Sequence, residues 1–210
     1  MLTIASLPIF QQPPEQTVPN GYIDQQLKPR MQSIVIDTET IAACRKKERA
    51  AQETVYKACY KDFFKICLRY TSSYDDAADV LHDAFIKIFT RIDSYNGTGN
   101  FAGWMRRIIV NACLDYHRNR KNAQNVSIEQ MAGEVEMEEE NQYIIDENKL
   151  LELIHTLTGK HLLVFNLFVI EEYTHEEISR ELQISVSASK WYVSEARKQL
   201  KTKAAQLFHD

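Results

Sequence analysis

Thr174-His175-Glu176-Glu177-Ile178-Ser179-Arg180-Glu181-Leu182, Gln183-Ile184-Ser185 and Val186-Ser187-Ala188-Ser189-Lys190-Trp191-Tyr192-Val193-Ser194-Glu195-Ala196-Arg197-Lys198 run consecutively, and their reading decides the fold. Thr174 at a helix cap, with Glu177 at the third helical position, forms a capping box: hydroxyl and carboxylate each satisfy a backbone N–H that the first turn leaves open. Ile178 and Leu182 then turn inward from a short helix, and Gln183-Ile184-Ser185 breaks it. A second helix follows, with Val186, Val193, Ala196 and Leu200 on one side and polar or basic residues on the others. Short helix, tight turn and longer basic helix make a helix-turn-helix, whose second helix enters a major groove. Early residues of such a helix reach base edges while its basic side chains hold phosphates. The candidate DNA contacts are Ser187, Ser189, Lys190, Trp191, Tyr192, Ser194, Arg197 and Lys198, with Lys190 and Arg197 suited to guanine or phosphate. An ordinary helical hairpin with a solvated basic face is the competing reading.

Upstream, Leu162, Leu163, Phe165, Leu167, Phe168 and Ile170 are helical in pattern, as are Ile144, Ile145, Leu151, Ile154 and Leu157 before a pause at Thr158-Gly159. Residues 144–210 therefore form one small domain. Before it, 122–143 has little apolar content and reads as an acidic linker. Three amphipathic helices lie further upstream. The first carries Tyr56, Tyr60, Phe63, Phe64, Cys67 and Leu68, and Tyr70-Thr71-Ser72-Ser73 ends it. The second opens at Ser73, capped with Asp76 three residues on, and repeats Ala77, Val80, Leu81, Ala84, Phe85, Ile88, Phe89 and Ile92 at threes and fours. The loop Asp93–Asn100, marked by its glycines and asparagines, leads to a third helix with Phe101, Trp104, Met105, Ile108, Ile109, Ala112 and Tyr116 as its stripe. These helices bury one another's faces over 45–121. Residues 1–44 hold Pro8, Pro13, Pro14 and Pro19 and no sustained period, which predicts a flexible arm. The expected fold is all-α: two small helical domains joined by an acidic linker, the second containing the helix-turn-helix.

The composition, 44% hydrophobic and 26% charged over 210 residues, is that of an ordinary globular chain. No run approaches the length of a membrane span and no signal peptide opens the chain, so the expected location is the cytoplasm. Cys44, Cys59, Cys67 and Cys113 form no CxxC pair and sit in apolar patterns, which predicts buried thiols. A formal net charge of −4 argues at first against nucleic-acid binding, but the distribution decides otherwise. Arg106, Arg107, Arg118, Arg120 and Lys121 stand against Asp115 alone. Lys190, Arg197, Lys198, Lys201 and Lys203 stand against Glu195 and Asp210. Between these basic segments lie Glu129, Glu134, Glu136, Glu138, Glu139, Glu140, Asp146 and Glu147.

Two sets of segments resemble the extracytoplasmic-function (ECF) sigma factors of bacterial RNA polymerase. Leu157 to Phe165, Glu172 to Ile178, Leu182 to Ser185 and Glu195 to Leu200 are similar to that family's fourth region. Asp75 to Lys87 resembles its polymerase-binding helix, and Asp93-Ser94-Tyr95 through Phe101 to Ile108, with Asn111, its promoter-opening segment. The resemblance covers about 50–120 and 145–205. Thr158 stands where the family commonly has Pro, Gln183 where it has Gly, and Ser189 where an apolar residue is usual.

The resemblance implies an alternative sigma factor, not an enzyme, that needs no cofactor or metal and whose partners are core RNA polymerase and promoter DNA, with an anti-sigma factor a common third. It implies polymerase contact through Asp79, His82, Asp83, Lys87 and Arg91. It also implies capture of extruded minus-ten bases by Tyr95 and Asn96, with Arg106, Arg107, Asn111, Arg118, Arg120 and Lys121 along the strand. Phe101 and Trp104 fall on the apolar stripe and shape that pocket from the core. The minus-thirty-five element falls to the second helix of the helix-turn-helix, and the acidic linker either enters a basic polymerase channel or spaces the domains. Two alternatives stay open: a helix-turn-helix regulator that works without polymerase, and a metal-dependent nucleic-acid enzyme using Asp75, Asp79 and Asp83 at fourfold spacing.

Overall fold

A computed structural model describes residues 34–124 and 151–207, with side chains over 34–120 and 151–203. The described residues are all-α and fall into two compact units. Most of the acidic linker, residues 1–33 and the apolar positions Ile144 and Ile145 lie outside them.

The first unit is built from α1 (Thr38–Arg45), α2 (Arg49–Tyr70), α3 (Tyr74–Thr90), a single 3-10 turn at Ile92–Ser94 and α4 (Phe101–Gln124). α1 corrects the expected arm of 1–44, because the helical unit begins before residue 45. Asp37 caps α1, its carboxylate accepting from Thr40 N at 2.7 Å and from Thr40 Oγ1 at 2.8 Å. Ile41 and Cys44, three apart on one face, are buried where α1 packs on α2. Two apolar positions in so short a helix leave almost no periodic signal beside a proline-rich segment.

α2, α3 and α4 pack pairwise on one another. α2 contributes Val55, Cys59, Phe63 and Cys67, α3 contributes Val80, Leu81, Ala84 and Ile88, and α4 contributes Met105, Ile109, Val110 and Leu114, all buried. All four cysteines are buried and outside disulfides, as expected. Burial, helped by the charge of Asp62, pushes the Cys59 thiol up to about 12, which keeps it protonated and unreactive. Ser73 caps α3, accepting from Asp76 N at 3.1 Å and donating to Asp76 Oδ2 at 2.6 Å. His117 Nε2 lies 2.5 Å from the Tyr70 carbonyl and ties α4 to the end of α2.

The second unit contains a helical stretch at 151–155, α5 (Gly159–Phe165) running into a π-helical turn (Asn166–Ile170), α6 (His175–Leu182) and α7 (Val186–Leu207). Its core joins Ile154, Leu157, Leu162, Phe165, Val169, Ile170 and Ala196, with Phe168 and Leu200 at the margin. The capping box forms as expected: Glu177 N donates to Thr174 Oγ1 at 3.2 Å, and Thr174 N donates to Glu177 Oε2 at 2.8 Å. Gln183 ends α6 with φ 51° and ψ 52°, in the left-handed region. This is the conformation that glycine takes at little cost, and here a side chain bears it. No helix among the described residues is long and apolar enough to cross a membrane.

Candidate nucleic-acid and polymerase interfaces

α7 divides cleanly. Ser189, Val193 and Ala196 are buried toward the core, whereas Ser187, Lys190, Trp191, Ser194, Lys198 and Lys201 are exposed. The exposed residues recur at threes and fours, so they share one face. Ser185 starts the helix: Ala188 N donates to its hydroxyl at 3.0 Å, and Ser187 Oγ lies 3.0 Å from it.

Three expected DNA contacts stand off this exposed face, one of them buried and two half-buried. Ser189 is fully buried and shares a 2.9 Å hydrogen bond with His175 Nδ1, so it cannot meet a base. A hydroxyl is tolerated where an apolar residue is usual because α6 brings it a partner. His175 also stacks on Phe168, with centroids 4.2 Å apart. Burial, then the charges of Lys190 and Arg197, hold its imidazole below the usual value against the opposing pull of Glu176. Arg197 lies half-buried with its guanidinium 5.9 Å from the centre of the Phe168 ring, which makes it part of the packing. Tyr192 is half-buried and meets His161 edge-on at 4.9 Å.

In the first unit a cleft of about 470 Å³ opens at the start of α4, lined by Ser94, Tyr95, Asn96, Thr98, Gly99, Asn100, Gly103, Trp104 and Arg107. Its loop carries φ 81° at Gly97 and 76° at Gly99, angles that side chains rarely adopt. Tyr95, expected to help form the base pocket, lines the cleft but is only 7% exposed. Its hydroxyl donates to the Gly99 carbonyl at 2.8 Å, and its ring packs on Phe101 at 5.0 Å and Trp104 at 5.7 Å. The tyrosine therefore holds the loop in shape from beneath. Arg45 of α1 donates to the Tyr95 carbonyl and ties α1 to the same loop. Asn96 is exposed, its Oδ1 accepting from Thr98 N at 3.0 Å and Thr98 Oγ1 at 2.6 Å. Phe101 is buried and Trp104 half-buried against the cleft.

Along α4, Gly103, Arg107, Asn111 and Arg118 lie on one exposed face that leads away from the cleft. Arg118 pairs with Asp115 at 2.8 Å. Arg120 is drawn off this path, donating to Ser72 Oγ at 2.7 Å and Tyr116 Oη at 2.6 Å. Arg106 is half-buried, and the Lys121 side chain lies outside the described residues. Ser94, Thr98, Asn100 and Gly103 complete the lining. All four fall within the segment that the resemblance marked, and the folded loop brings them together around the cleft.

α3 turns Asp79, His82, Asp83, Ile86 and Thr90 outward on one stripe, with Arg91 exposed after them. Lys87 is diverted, reaching Asp115 of α4 at 3.2 Å. Ile86, 50% exposed, was missed by reasoning from charge alone. Its signal was its register, three residues after Asp83 and four after His82. Among the described residues no three His, Cys, Asp or Glu side chains gather as a metal site, so Asp75, Asp79 and Asp83 do not converge on one.

Comparison with known proteins follows this division. The model of sigma-70 region 2 matches residues 55–123 and that of sigma-70 region 4 matches residues 147–200. The ECF RNA polymerase sigma factor SigW of Bacillus subtilis is 26% identical over 162 residues, covering 70% of this chain and 86% of that protein. The RNA polymerase sigma factor YlaC of the same organism is 24% identical over 160 residues, covering 74% and 92%. Among solved structures, CnrH in complex with the cytosolic domain of CnrY aligns at 17% identity and a TM-score of 0.48, covering 80% of this chain and 96% of that one. A regulator working without polymerase, the competing expectation, leaves the region 2 match without a role. With region 2 matched ahead of region 4 and both relatives matched along most of their length, the chain belongs to the ECF sigma factors, alternative sigma factors that join core RNA polymerase to promoter DNA and direct transcription initiation.

Proposed function

We propose a division of that work among three faces. The exposed row of α7, Ser187, Lys190, Trp191, Ser194 and Lys198, reads the minus-thirty-five element in the major groove. The cleft at the start of α4 takes a base extruded from the minus-ten element, with Asn96 at its rim and Arg107, Asn111 and Arg118 along the strand path. The stripe of α3, Asp79, His82, Asp83, Ile86 and Arg91, docks on core polymerase, with Ile86 as an apolar contact ringed by charge. The chain works by binding and positioning, with no chemistry of its own, and does so in the cytoplasm.

One observation carries this reading: each of these helices buries one face in its own unit and leaves on the other an ordered row suited to a different partner. The α7 row is basic and hydroxylic, the α4 row is basic beside a cleft, and the α3 row is mainly acidic around an isoleucine. The α3 face is the one most open to direct test. Asp83→Arg should weaken binding to core polymerase about tenfold or more, because a like charge replaces a complementary one, and should leave the melting temperature of the unit unchanged. Wild-type affinity in Asp83→Arg, and again in Ile86→Glu, would remove that face from the mechanism.

A further inference from the structure

Among the described residues of the second unit, Trp191 is the one large hydrophobic side chain left in solvent, 55% exposed. It stands in the middle of the α7 row, one turn after Ser187 and one turn before Ser194, whose short side chains leave the indole projecting between them. Its direction is set by neighbouring rings: Tyr192 meets it at 5.0 Å and His161 of α5 at 5.6 Å, and these two meet each other edge-on at 4.9 Å. An aromatic side chain braced in this way enters an interface with little rotamer freedom left to lose.

Chemistry narrows what it meets. Inside the major groove the bases show their edges and not their faces, so stacking is closed to an indole there. The apolar feature on those edges is the C5-methyl group of thymine. Lys190 and Lys198 on the same face supply the contacts to guanine or phosphate. We propose that Trp191 is a specificity-determining residue that recognises the methyl group of a thymine in the upstream promoter element, an inference that rests on α7 reading that element. Discrimination at that position comes from apolar contact, so cytosine, which lacks the methyl group, is rejected.

The test uses holoenzyme assembled from the full chain and core polymerase, on a promoter recovered by run-off transcription. Each thymine of the upstream element is replaced in turn by deoxyuridine, which removes the methyl group and leaves the hydrogen-bonding edge intact. At one position the wild-type holoenzyme should lose about fourfold in affinity, the equivalent of one buried carbon. Trp191→Ala should bind the thymine and uracil duplexes alike, more weakly than wild type on thymine, with unchanged affinity for core polymerase. Trp191→Phe should keep part of the methyl dependence. Indifference of the wild type to every uracil, or a methyl dependence that survives in Trp191→Ala, would overturn the assignment. So would a loss of core affinity in Trp191→Ala, which would place the indole against polymerase. A wild-type holoenzyme that starts transcription on no DNA would instead defeat the reading of α7 itself, and this inference with it.

Discussion

Tyr95 and Trp191 are both aromatic residues placed by sequence where a promoter would be touched, yet the two regions use them in opposite ways. In the loop after α3, the Tyr95 hydroxyl finds the Gly99 carbonyl and its ring finds Phe101 and Trp104, so the side chain is absorbed and the loop around it is displayed. On α7 the indole meets two rings beside it and stays half in solvent. Position within a motif does not settle which way a side chain faces. The partners within reach settle it: an aromatic group held by both a backbone acceptor and neighbouring rings becomes support, and one that meets rings at its side alone remains available to a ligand.

The largest effect that would break this contrast is on stability. Tyr95→Ala should cost the first unit about 3 kcal/mol or more, as for other buried aromatic truncations, measured by denaturant titration. Trp191→Ala should leave the second unit's stability nearly unchanged. Equal losses in the two variants would erase the distinction between support and reader.

Lys190→Ala should weaken upstream-element binding by about 1–3 kcal/mol if its amine reads a base, or reduce the salt dependence if it holds a phosphate. Arg197→Ala, whose guanidinium lies beside the Phe168 ring, should act mainly on folding, by about 0.5–1 kcal/mol. Comparing salt slopes of the two variants separates a DNA contact from a packing contact.

Gln183→Gly should raise the melting temperature of the second unit, since a left-handed residue with a side chain costs about 1 kcal/mol that glycine avoids. A fall would mean that the Gln183 side chain contributes more than its backbone costs.

The smallest effect is on pH. His117 is held below its usual 6.5, chiefly by burial and against the opposing effect of the Tyr70 carbonyl. The unfolded chain therefore takes up the proton first as pH falls, and stability present above about 6.5 is lost between there and the lower folded value. His117→Gln should flatten that acid limb, and an unchanged limb would assign it to other groups.

These contrasts also mark how far the sequence could be read. Helices α2 to α7 and the caps at Ser73 and Thr174 were legible because periodicity and capping are local properties. α1 was not, because Ile41 and Cys44 give one apolar pair rather than a repeat. Ser189 read as a polar contact because its partner, His175, sits on another helix. Tyr95 was read into the pocket but its near-complete burial there was not legible, because a Gly- and Asn-rich loop looks open until the chain closes on Gly99. The α3 stripe was legible in its acids and not in Ile86, since an apolar residue on a helix reads as core unless its register against the acids is followed.

Sigma activity is read most directly by run-off transcription by core RNA polymerase, with and without the chain, on sheared genomic DNA, with the transcript starts sequenced. New starts that share two spaced upstream elements should appear with the wild type and disappear when Asp83→Arg replaces it. No new starts, together with tight and specific DNA binding by the chain alone, would contradict sigma activity.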